Sequence, residues 1–488
     1  MFFIFLAAGT ILRCLMFLTQ KSWWFDEWAS IDVASQSLKD VIVLNIADTH
    51  PPLYFMLLHT AIKVFGYNDL AFRLPSLLAG IGAIVAVYLC AKEFFNKKTA
   101  LLASLFTAAS PFFIHLSFEI RNHGLPIFLC TFATFFLLKI IKEPFSRKWG
   151  YAYAFTAASS VYVSHFAWFW LASAVFFHIA SWAVGSCRDK RSFIFQGFAI
   201  AFASIALALF LYHFGLDKDA LIYDDFSMMS YLSVVKQFLI IYWHFIISPE
   251  FFVYWNSAIV SLLKNSLIFR FCCVLFVFGG VLFIRALLRL WRKEKQTWVF
   301  FFVTTILPLP LVAFIDLTRL ETRYFAFAAP FVWMLLSHQI MDFKQRFVRV
   351  GSIALFLIAS LYADCKIIAS PTDPMHEEDY IAMTKYIVSK ASDHDVIQTS
   401  PIFDYYLKYL KLSTRAELIV DSNLLNAEEA RKYKYFWYID GMPIYSYDFP
   451  IISNRMKLLG FYTKGRELTF GGERDYAIVN LFERRPAK

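Results

Sequence analysis

The chain has 488 residues, of which 59% are hydrophobic, 19% aromatic and 17% charged, and its mean hydropathy is +0.54. Soluble globular proteins carry about 25% charged residues, so this composition excludes an ordinary soluble protein. The net charge of +10 lies in the apolar part of the chain, where membrane topology explains it, and we do not expect nucleic-acid binding.

The composition divides the chain near residue 370. Charged residues make up 51 of the first 370 positions and 33 of the last 118. We therefore predict a membrane domain over residues 1–365 and a soluble α/β domain over residues 366–488. The seven cysteines avoid the soluble part and offer neither a disulfide framework nor a zinc spacing.

Apolar runs of roughly 17 to 22 residues, the length that crosses about 30 Å of hydrocarbon, recur along the membrane domain. The first run lacks a basic leader and a small-residue cleavage site, so we expect a retained helix instead of a signal peptide. We predict about eleven transmembrane helices, at approximately residues 2–19, 74–91, 100–118, 124–141, 149–164, 166–184, 193–214, 267–284, 297–315, 324–340 and 347–363.

The distribution of basic residues predicts the orientation of these helices. Five connectors hold 18 Lys and Arg in 47 residues, and the positive-inside rule makes them cytoplasmic: 92–98, 139–149, 186–192, 285–297 and 342–350. The first outer loop, 20–73, the long outer loop, 215–266, and the soluble domain then lie outside. The apolar segment 231–247 is open to two interpretations, because a helix lying in the interface keeps this topology whereas a spanning helix would move the soluble domain inside.

Short elements are predicted outside the membrane helices. In the first outer loop, Ser30–Leu38 and Leu53–Phe65 are helical in pattern, and Pro51-Pro52 fixes the start of the second. The soluble domain is predicted to contain helices at 378–391 and 401–410 and strands at 395–399, 435–439 and 476–481.

The strongest local signal is the segment WWFDEWAS, residues 23–30, which places Asp26 and Glu27 at the membrane boundary. The tryptophans could be ordinary interfacial anchors and the acids plain loop residues. Alternatively, partial desolvation raises the pKa of such a carboxylate toward the range of a general base. Acids at a membrane rim are functional by default, which favours the second interpretation.

Other polar residues fall at the outer ends of the predicted spans, where they could converge. Arginine binds phosphate oxygens bidentately, so this set suits a phosphorylated substrate. Taken singly, Arg73 could be a snorkelling anchor and His165 a satisfied interfacial histidine. The set consists of Asp26, Glu27, His50, Arg73, Glu119, Arg121, His165 and Arg323.

Cofactor signals are weak. The sequence has no Walker loop and no GxGxxG motif, so no ATP or dinucleotide site is predicted. Carboxylates and His50 on one face could hold a divalent cation, but no ligand spacing indicates a metal site.

Taken together, the motifs resemble the bacterial C-type glycosyltransferases of the protein-mannosyltransferase-like group. The resemblance runs through most of residues 20–340 in the same order, and it is carried by FDEWAS, HPPLYF, FRLPS, SFEIRNHG, SHFAW and TRYFAFAAPF. It implies a polytopic α-helical membrane enzyme that takes a sugar from a polyprenyl-phosphate carrier.

The resemblance also implies roles for individual residues. Asp26 matches the first-loop acid proposed as catalytic base, and Glu27 is its neighbour. Glu119 is implied as a further catalytic residue and is the acid of an E-x-R pair. The implied substrate-binding residues are His50, Arg73, Arg121, His165, Arg323 and Tyr324. Relatives usually continue the E-x-R pair with a bulky residue and Tyr, whereas Asn122 and His123 follow here.

The expected reaction is direct displacement at the anomeric carbon, which inverts its configuration. The expected partners are a polyprenyl-phosphate-linked sugar, a lipid, glycan or protein acceptor, and membrane lipids, at the outer face of the cytoplasmic membrane. A transporter or flippase of lipid-linked sugars is the first alternative, although the sequence shows no inverted repeat. A non-catalytic membrane scaffold is the second.

Overall fold

The computed structural model describes residues 1–18, 21–47, 50–143, 146–186, 192–216, 231–247, 267–308, 322–369, 379–398, 401–419, 428–440, 456–458, 461–463, 468–471 and 476–484. The chain forms two compact units. The first consists of Met1–Leu18 and Ser30–Ile368, and the second of Thr19–Ala29 and Ala369–Lys488. Five acids of the connectors predicted to lie outside are not among the described residues: Asp48, Asp224, Asp225, Asp316 and Glu321. Most of the loop 215–266 is also outside the described residues.

The first 369 residues are helical wherever they form regular structure in the described ranges. Their α-helices are α1 (Phe2–Leu15), α2 (Phe25–Ser35), α3 (Leu38–Ala47), α4 (Leu53–Phe65), α5 (Asp69–Phe94), α6 (Lys97–Ala109), α7 (Pro111–Leu116), α8 (Gly124–Lys142), α9 (Arg147–Val161), α10 (Ala167–Ala183), α11 (Ser192–Leu216), α12 (Tyr231–Ile246), α13 (Leu267–Lys293), α14 (Lys295–Thr305), α15 (Ala329–Met341) and α16 (Arg346–Ala369). A 3₁₀ segment, Thr322–Ala328, leads into α15.

Five of the described helical segments are long and apolar enough to cross a membrane: Asp69–Phe94, Gly124–Lys142, Arg270–Lys293, Thr322–Met341 and Arg346–Ala369. Shorter apolar helices occur at Phe2–Leu18, Leu53–Phe65, Ala167–Ala183 and Ser192–Ala206. The helical membrane fold predicted from composition is confirmed, whereas the number eleven and the role of α12 stay predictions.

One predicted span differs from the observed helices. The apolar run at 100–118 is divided into α6 and α7, and α7 begins at Pro111. Proline lacks the N–H that an uninterrupted helix needs, and its ring disfavours a helical conformation at the preceding Ser110. The division matters for function because residues 117–123, which follow α7, carry the E-x-R pair.

A close contact with α5 fixes the position of Ser117, the first residue of the 117–123 segment. A Cβ built at Gly80, in the middle of α5, would collide with the Ser117 side chain and would lie 3.0 Å from Arg13 Nε. Only a residue without a side chain fits between them. Gly80 therefore allows α5 to pack directly against the start of the 117–123 segment.

The second unit contains a six-stranded mixed sheet in the order β2-β1-β3-β6-β4, with β5 also paired to β6. Strands β1, β2 and β3 are parallel, whereas β4, β5 and β3 each run antiparallel to β6. The strands are β1 (Asp395–Gln398), β2 (Glu417–Ile419), β3 (Tyr435–Asp440), β4 (Phe461–Thr463), β5 (Leu468–Gly471) and β6 (Tyr476–Arg484), and the helices are α17 (Tyr380–Lys390) and α18 (Pro401–Tyr409). The predicted helices at 378–391 and 401–410 and the predicted strands at 395–399, 435–439 and 476–481 are confirmed.

The second unit also includes the segment that contains WWFDEW, which the sequence had assigned to the membrane domain. Trp23 is fully buried, and its ring lies 4.5 Å from that of Tyr409. The Trp23 N–H donates to the Tyr406 hydroxyl at 2.6 Å, and that hydroxyl donates to the Trp23 carbonyl at 3.2 Å. The sequence left open whether Trp23 is an ordinary interfacial anchor, and the structure packs its side chain within the second unit.

Candidate active site

The best-defined polar contact of the first unit is an ion pair between two distant parts of the sequence. Arg323 Nη1 lies 3.1 Å from Glu119 Oε1, and the two side chains are 5% and 1% exposed. Glu119 comes from the 117–123 segment and Arg323 from the 3₁₀ segment before α15. Burial makes such a pair sensitive to the loss of either partner, since the remaining charge would be left in a low-dielectric site.

The second member of the E-x-R pair contacts the first outer loop. Arg121 Nη1 donates to Ser30 Oγ at 3.2 Å, and Nη2 lies 3.4 Å from His50 Nε2. Because arginine can only donate, His50 accepts through Nε2. The structure therefore brings His50, Glu119, Arg121 and Arg323 into one cluster through residues 117–123 and their contacts.

Local structure fixes His50 in this position. Its backbone N–H donates to the Asn45 carbonyl at 2.8 Å, at the end of α3. Pro51 and Pro52 follow at once, and α4 begins at Leu53. Proline has a fixed φ and favours an extended conformation in the residue before it, so the chain direction at His50 is restricted.

Arg73 has a supporting position beside the cluster. Its Nε lies 3.0 and 3.1 Å from the two carboxylate oxygens of Asp69, one turn earlier in α5. Its Nη1 donates to the Phe118 carbonyl at 2.7 Å, and the guanidinium lies 3.7 Å from the centre of the Phe118 ring. Arg73 thus holds the residue immediately before Glu119.

A second arginine, which the sequence reading missed, holds the same segment. Arg13 is 1% exposed and donates from Nε to Ser117 Oγ at 3.0 Å. Its other nitrogens donate to the carbonyls of Gly9, Ala108 and Thr107 at 2.9 to 3.1 Å. The last two carbonyls belong to the C-terminal turn of α6, where helix carbonyls lack intrahelical donors. A lone arginine inside an apolar run was the available signal for this role.

The two residues that depart from the family pattern, Asn122 and His123, lie directly after the E-x-R pair. Asn122 Nδ2 donates to the Val163 carbonyl at 2.8 Å. Asn122 Oδ1 and His123 Nε2 are buried and make no hydrogen bond among the described residues. The His123 ring lies 5.7 Å from that of Tyr324, which stacks on Phe166 at 5.0 Å. Tyr324 is therefore placed next to the E-x-R segment, as the sequence predicted for a shared site.

Electrostatics keep His123 neutral. Burial lowers its pKa well below the usual value near 6.5, and the positive charges of Arg323 and Arg121 act in the same direction. A neutral imidazole can donate through one nitrogen and accept through the other. His123 can therefore hydrogen-bond to a hydroxyl at neutral pH.

Three predicted site residues remain: His165, Asp26 and Glu27. His165 is half-buried in the turn before α10. Asp26 and Glu27 occupy the first turn of α2, where a carboxylate is favoured by the helix dipole, and they belong to the second unit. Glu27 is 2% exposed, and Asp26 is half-buried. No group of three or more His, Cys, Asp or Glu side chains within the described ranges is arranged to hold a metal ion.

Comparisons with known proteins match part of the sequence to a family profile and to one curated protein. Residues 49–212 match the profile of the dolichyl-phosphate-mannose-protein mannosyltransferase family. This range contains His50, Arg73, Glu119, Arg121 and His165. A protein of Bacillus subtilis (strain 168) named "Putative mannosyltransferase YkcB" is 29% identical over 93 residues, which are 19% of this chain and 13% of that protein.

The fold matches two crystal structures of ArnT from Cupriavidus metallidurans. The apo structure gives a TM-score of 0.56 and the complex with undecaprenyl phosphate 0.55. Each match has 11% sequence identity and covers 98% of this chain and 97% of ArnT. The likeness extends over the helical membrane part and the C-terminal domain, and the chain is a multi-pass membrane protein. The resemblance to the protein-mannosyltransferase-like membrane glycosyltransferases, first seen in the motifs, is confirmed by the family profile that matches residues 49–212.

Proposed function

We propose that this protein is a membrane glycosyltransferase that moves a sugar from a polyprenyl-phosphate carrier to an acceptor hydroxyl. The observation that carries the proposal is the buried Glu119–Arg323 pair, with Arg121 and His50 beside it. Most of this cluster lies within the range that matches the mannosyltransferase family. The fold is that of ArnT, which has been crystallised with undecaprenyl phosphate.

The cluster suits the phosphate of the donor. Arg121 and Arg323 present two guanidinium groups, which bind phosphate oxygens in a planar, bidentate manner. A guanidinium in a partly dehydrated site stabilises the negative charge that grows on a departing phosphate. Glu119 orients Arg323 through its ion pair and so prepares this contact before the donor binds.

The proposed reaction is a single displacement. The acceptor oxygen forms a bond to the anomeric carbon while the bond from that carbon to the phosphate oxygen breaks. Asp26, assigned by its match to the first-loop acid of the group, takes the proton of the acceptor hydroxyl. Polyprenyl phosphate leaves with the electron pair, and the configuration of the sugar is inverted.

We further propose that the reaction takes place at the outer face of the cytoplasmic membrane, with the C-terminal domain extracytoplasmic. This placement rests on the basic connectors, which the positive-inside rule assigns to the cytoplasm. A lipid, glycan or protein could serve as acceptor. A divalent cation could assist the departure of the phosphate, although the chemistry above is assigned to the chain's own side chains.

The transport alternative has less support. Transport sites typically lie near the bilayer midplane at interrupted helices. Here the charged pair lies at helix ends, because Glu119 precedes α8 and Arg323 precedes α15. The scaffold alternative would be supported by Asp26 and Glu119 lying far apart and facing solvent, whereas Glu119 is 2% exposed.

Purified protein incubated with polyprenyl-phosphate sugars and an envelope extract should release polyprenyl phosphate and label an acceptor. Asp26→Asn should abolish labelling, and Asp32→Asn, an exposed acid of the same helix, should not. Full labelling by Asp26→Asn would remove Asp26 as the base. Translocation of the intact lipid-linked sugar without transfer would instead establish the transport alternative.

A further inference from the structure

A second charged cavity lies at the opposite end of the first unit from the candidate active site. It has a volume of about 480 Å³ and is lined by residues of the α5–α6 connection, the start of α6, the C-terminal end of α15 and α16. Its charged and polar lining includes Lys97, Lys98, Thr99, His338, Asp342 and Arg349. This volume falls within the range of small-molecule sites.

Helix α5 extends from the candidate active site to the cavity, so its length gives the distance between them. Arg73, near its N-terminal end, contacts Phe118 beside the E-x-R pair, whereas the chain enters the cavity lining at Asn96, just beyond the other end. The helix rises about 32 Å over the 21 steps from Arg73 to Phe94, which is close to the thickness of the hydrocarbon layer. A head group bound in the cavity therefore cannot reach Glu119 or Arg323.

The cavity carries an excess of positive charge. Lys97, Lys98 and Arg349 form no salt bridge with any described residue. Asp342, the only acid among the described residues of the lining, pairs with Arg289. Three cations of the lining are thus left without a carboxylate partner in the described part of the chain, and this arrangement favours a phosphate-bearing anion.

The helix that contributes Arg349 also carries exposed apolar side chains. Phe347 is 76% exposed and Val350 is 54% exposed, and Arg349 lies between them in sequence, in the first turns of α16. Met341 adds an apolar side chain to the lining itself. In a membrane protein, exposed apolar side chains at the end of a spanning helix face lipid. A ligand with a charged head and an apolar tail fits both surfaces.

We propose that this cavity binds the head group of an anionic glycerophospholipid, with the acyl chains along Phe347 and Val350. Basic pockets between membrane helices on the cytoplasmic side bind such head groups. The connectors that contribute the cations, 92–98 and 342–350, are those that the charge distribution predicts to be cytoplasmic. The proposal does not depend on the glycosyltransferase activity.

The test uses the full chain in detergent, titrated separately with dioleoylphosphatidylglycerol, dioleoylphosphatidylcholine and inorganic phosphate. Native mass spectrometry counts bound lipid, and thermal unfolding follows the stabilisation that specific binding to the folded state produces. Phosphatidylglycerol should bind saturably and raise the unfolding temperature, whereas phosphatidylcholine and inorganic phosphate should do neither. Equal effects of phosphate would identify a free-anion site, and equal effects of phosphatidylcholine would show lipid binding without charge recognition; either result overturns the proposal.

A matched pair of variants separates the cavity from general surface charge. Lys97→Gln with Lys98→Gln should weaken phosphatidylglycerol binding roughly 30-fold. Arg147→Gln with Lys148→Gln removes two charges from the first turn of α9, outside the cavity lining, and should leave binding unchanged. Equal losses in the two double variants would contradict the proposal.

Met341→Trp keeps every charge and places an indole ring in the lining of the cavity, so it serves as a second route if the charge variants fail to fold. It should reduce the bound phosphatidylglycerol at least tenfold, because a head group and an indole cannot occupy the same space. Binding equal to that of the unaltered protein would contradict the proposal.

Discussion

Arg13 and Ser117 are joined by a hydrogen bond of 3.0 Å from Nε to Oγ, although 104 residues separate them in sequence. The same guanidinium donates to the C-terminal carbonyls of α6. The first helix of the chain thus fixes where the E-x-R segment begins. A residue far from the motifs is therefore a structural requirement for their geometry.

Arg13→Leu should destabilise the protein by about 3–5 kcal/mol, because several buried acceptors lose their donor at once. Asp364 lies in the electrostatic field of Arg13, but its carboxylate oxygens make no hydrogen bond among the described residues. We therefore expect Asp364→Asn to change stability by at most about 1 kcal/mol. Thermal unfolding in detergent compares the stability of the two variants. Equal losses of stability would contradict the expectation that Arg13→Leu is the more damaging change.

Gly80→Ala tests the close approach of α5 to Ser117. The added methyl group must displace Ser117 or Arg13, so the variant should lose about 1–3 kcal/mol of stability and most transfer activity. Gly280→Ala is the control, because a Cβ at Gly280 meets nothing within 4 Å. It should keep activity and gain up to about 1 kcal/mol from helix propensity. If both variants lost stability and activity, the effect would come from replacing glycine in a helix generally and not from the contact at Gly80.

Glu119→Gln and Arg323→Gln test the buried ion pair. Each single change leaves one buried charge without its partner and should cost about 3–5 kcal/mol. The double variant removes both charges and should be more stable than the sum of the single effects predicts. Unfolding of the four proteins gives the coupling energy, and additive effects would show that the 3.1 Å contact contributes no coupling. Transfer should be lost in all three variants.

The depressed pKa of His123 predicts a pH dependence of stability. Its folded-state pKa lies well below 6.5, so the unfolded chain binds the proton more readily. Stability should therefore fall as the pH drops below about 6.5, since the folded protein must keep the ring neutral. His123→Gln should remove this contribution. The contribution is measured by comparing the unfolding temperatures of the unaltered protein and His123→Gln between pH 5 and 7.5. If the two unfolding temperatures changed equally with pH, the prediction would be wrong.

Tyr406→Phe tests how the soluble domain holds the WWFDEW segment. The change removes the hydroxyl that accepts from the Trp23 N–H and donates to its carbonyl, and should cost about 1–3 kcal/mol. Limited proteolysis should then cut the chain between residues 19 and 29 more quickly. Tyr435→Phe, in β3, is a comparison in the same unit and should leave the cleavage rate unchanged.

The apolar periodicity and the charged residues of the sequence predicted those helices and strands that have a clear local pattern. The helices at 53–65 and 380–390 and the strand at 395–398 follow from apolar spacing and from flanking proline or acidic residues. Strands β2, β4 and β5 were missed, and each has only three or four residues. Patterns of this length are poorly distinguished from loop, although β1, which has four residues, was predicted correctly.

The motifs predicted which residues would cluster, but not how each one acts. Sequence spacing could not show that Arg73 is bonded to Asp69 and the Phe118 carbonyl, since a backbone acceptor leaves no trace in composition. It also left open whether the tryptophans of residues 23–28 are membrane anchors, because tryptophans beside an apolar helix have that pattern in either environment. The tyrosines that bury Trp23 lie almost 400 residues later in the sequence.

The packing of Trp23 against Tyr406 has a consequence for anyone recombining this protein with a homologue. A chimera joined near residue 369 would combine a foreign C-terminal domain with the native Trp23, and the aromatic pocket would be mismatched. Residues 19–29 and 369–488 should therefore be exchanged as one block, even though they are separated by the whole membrane domain.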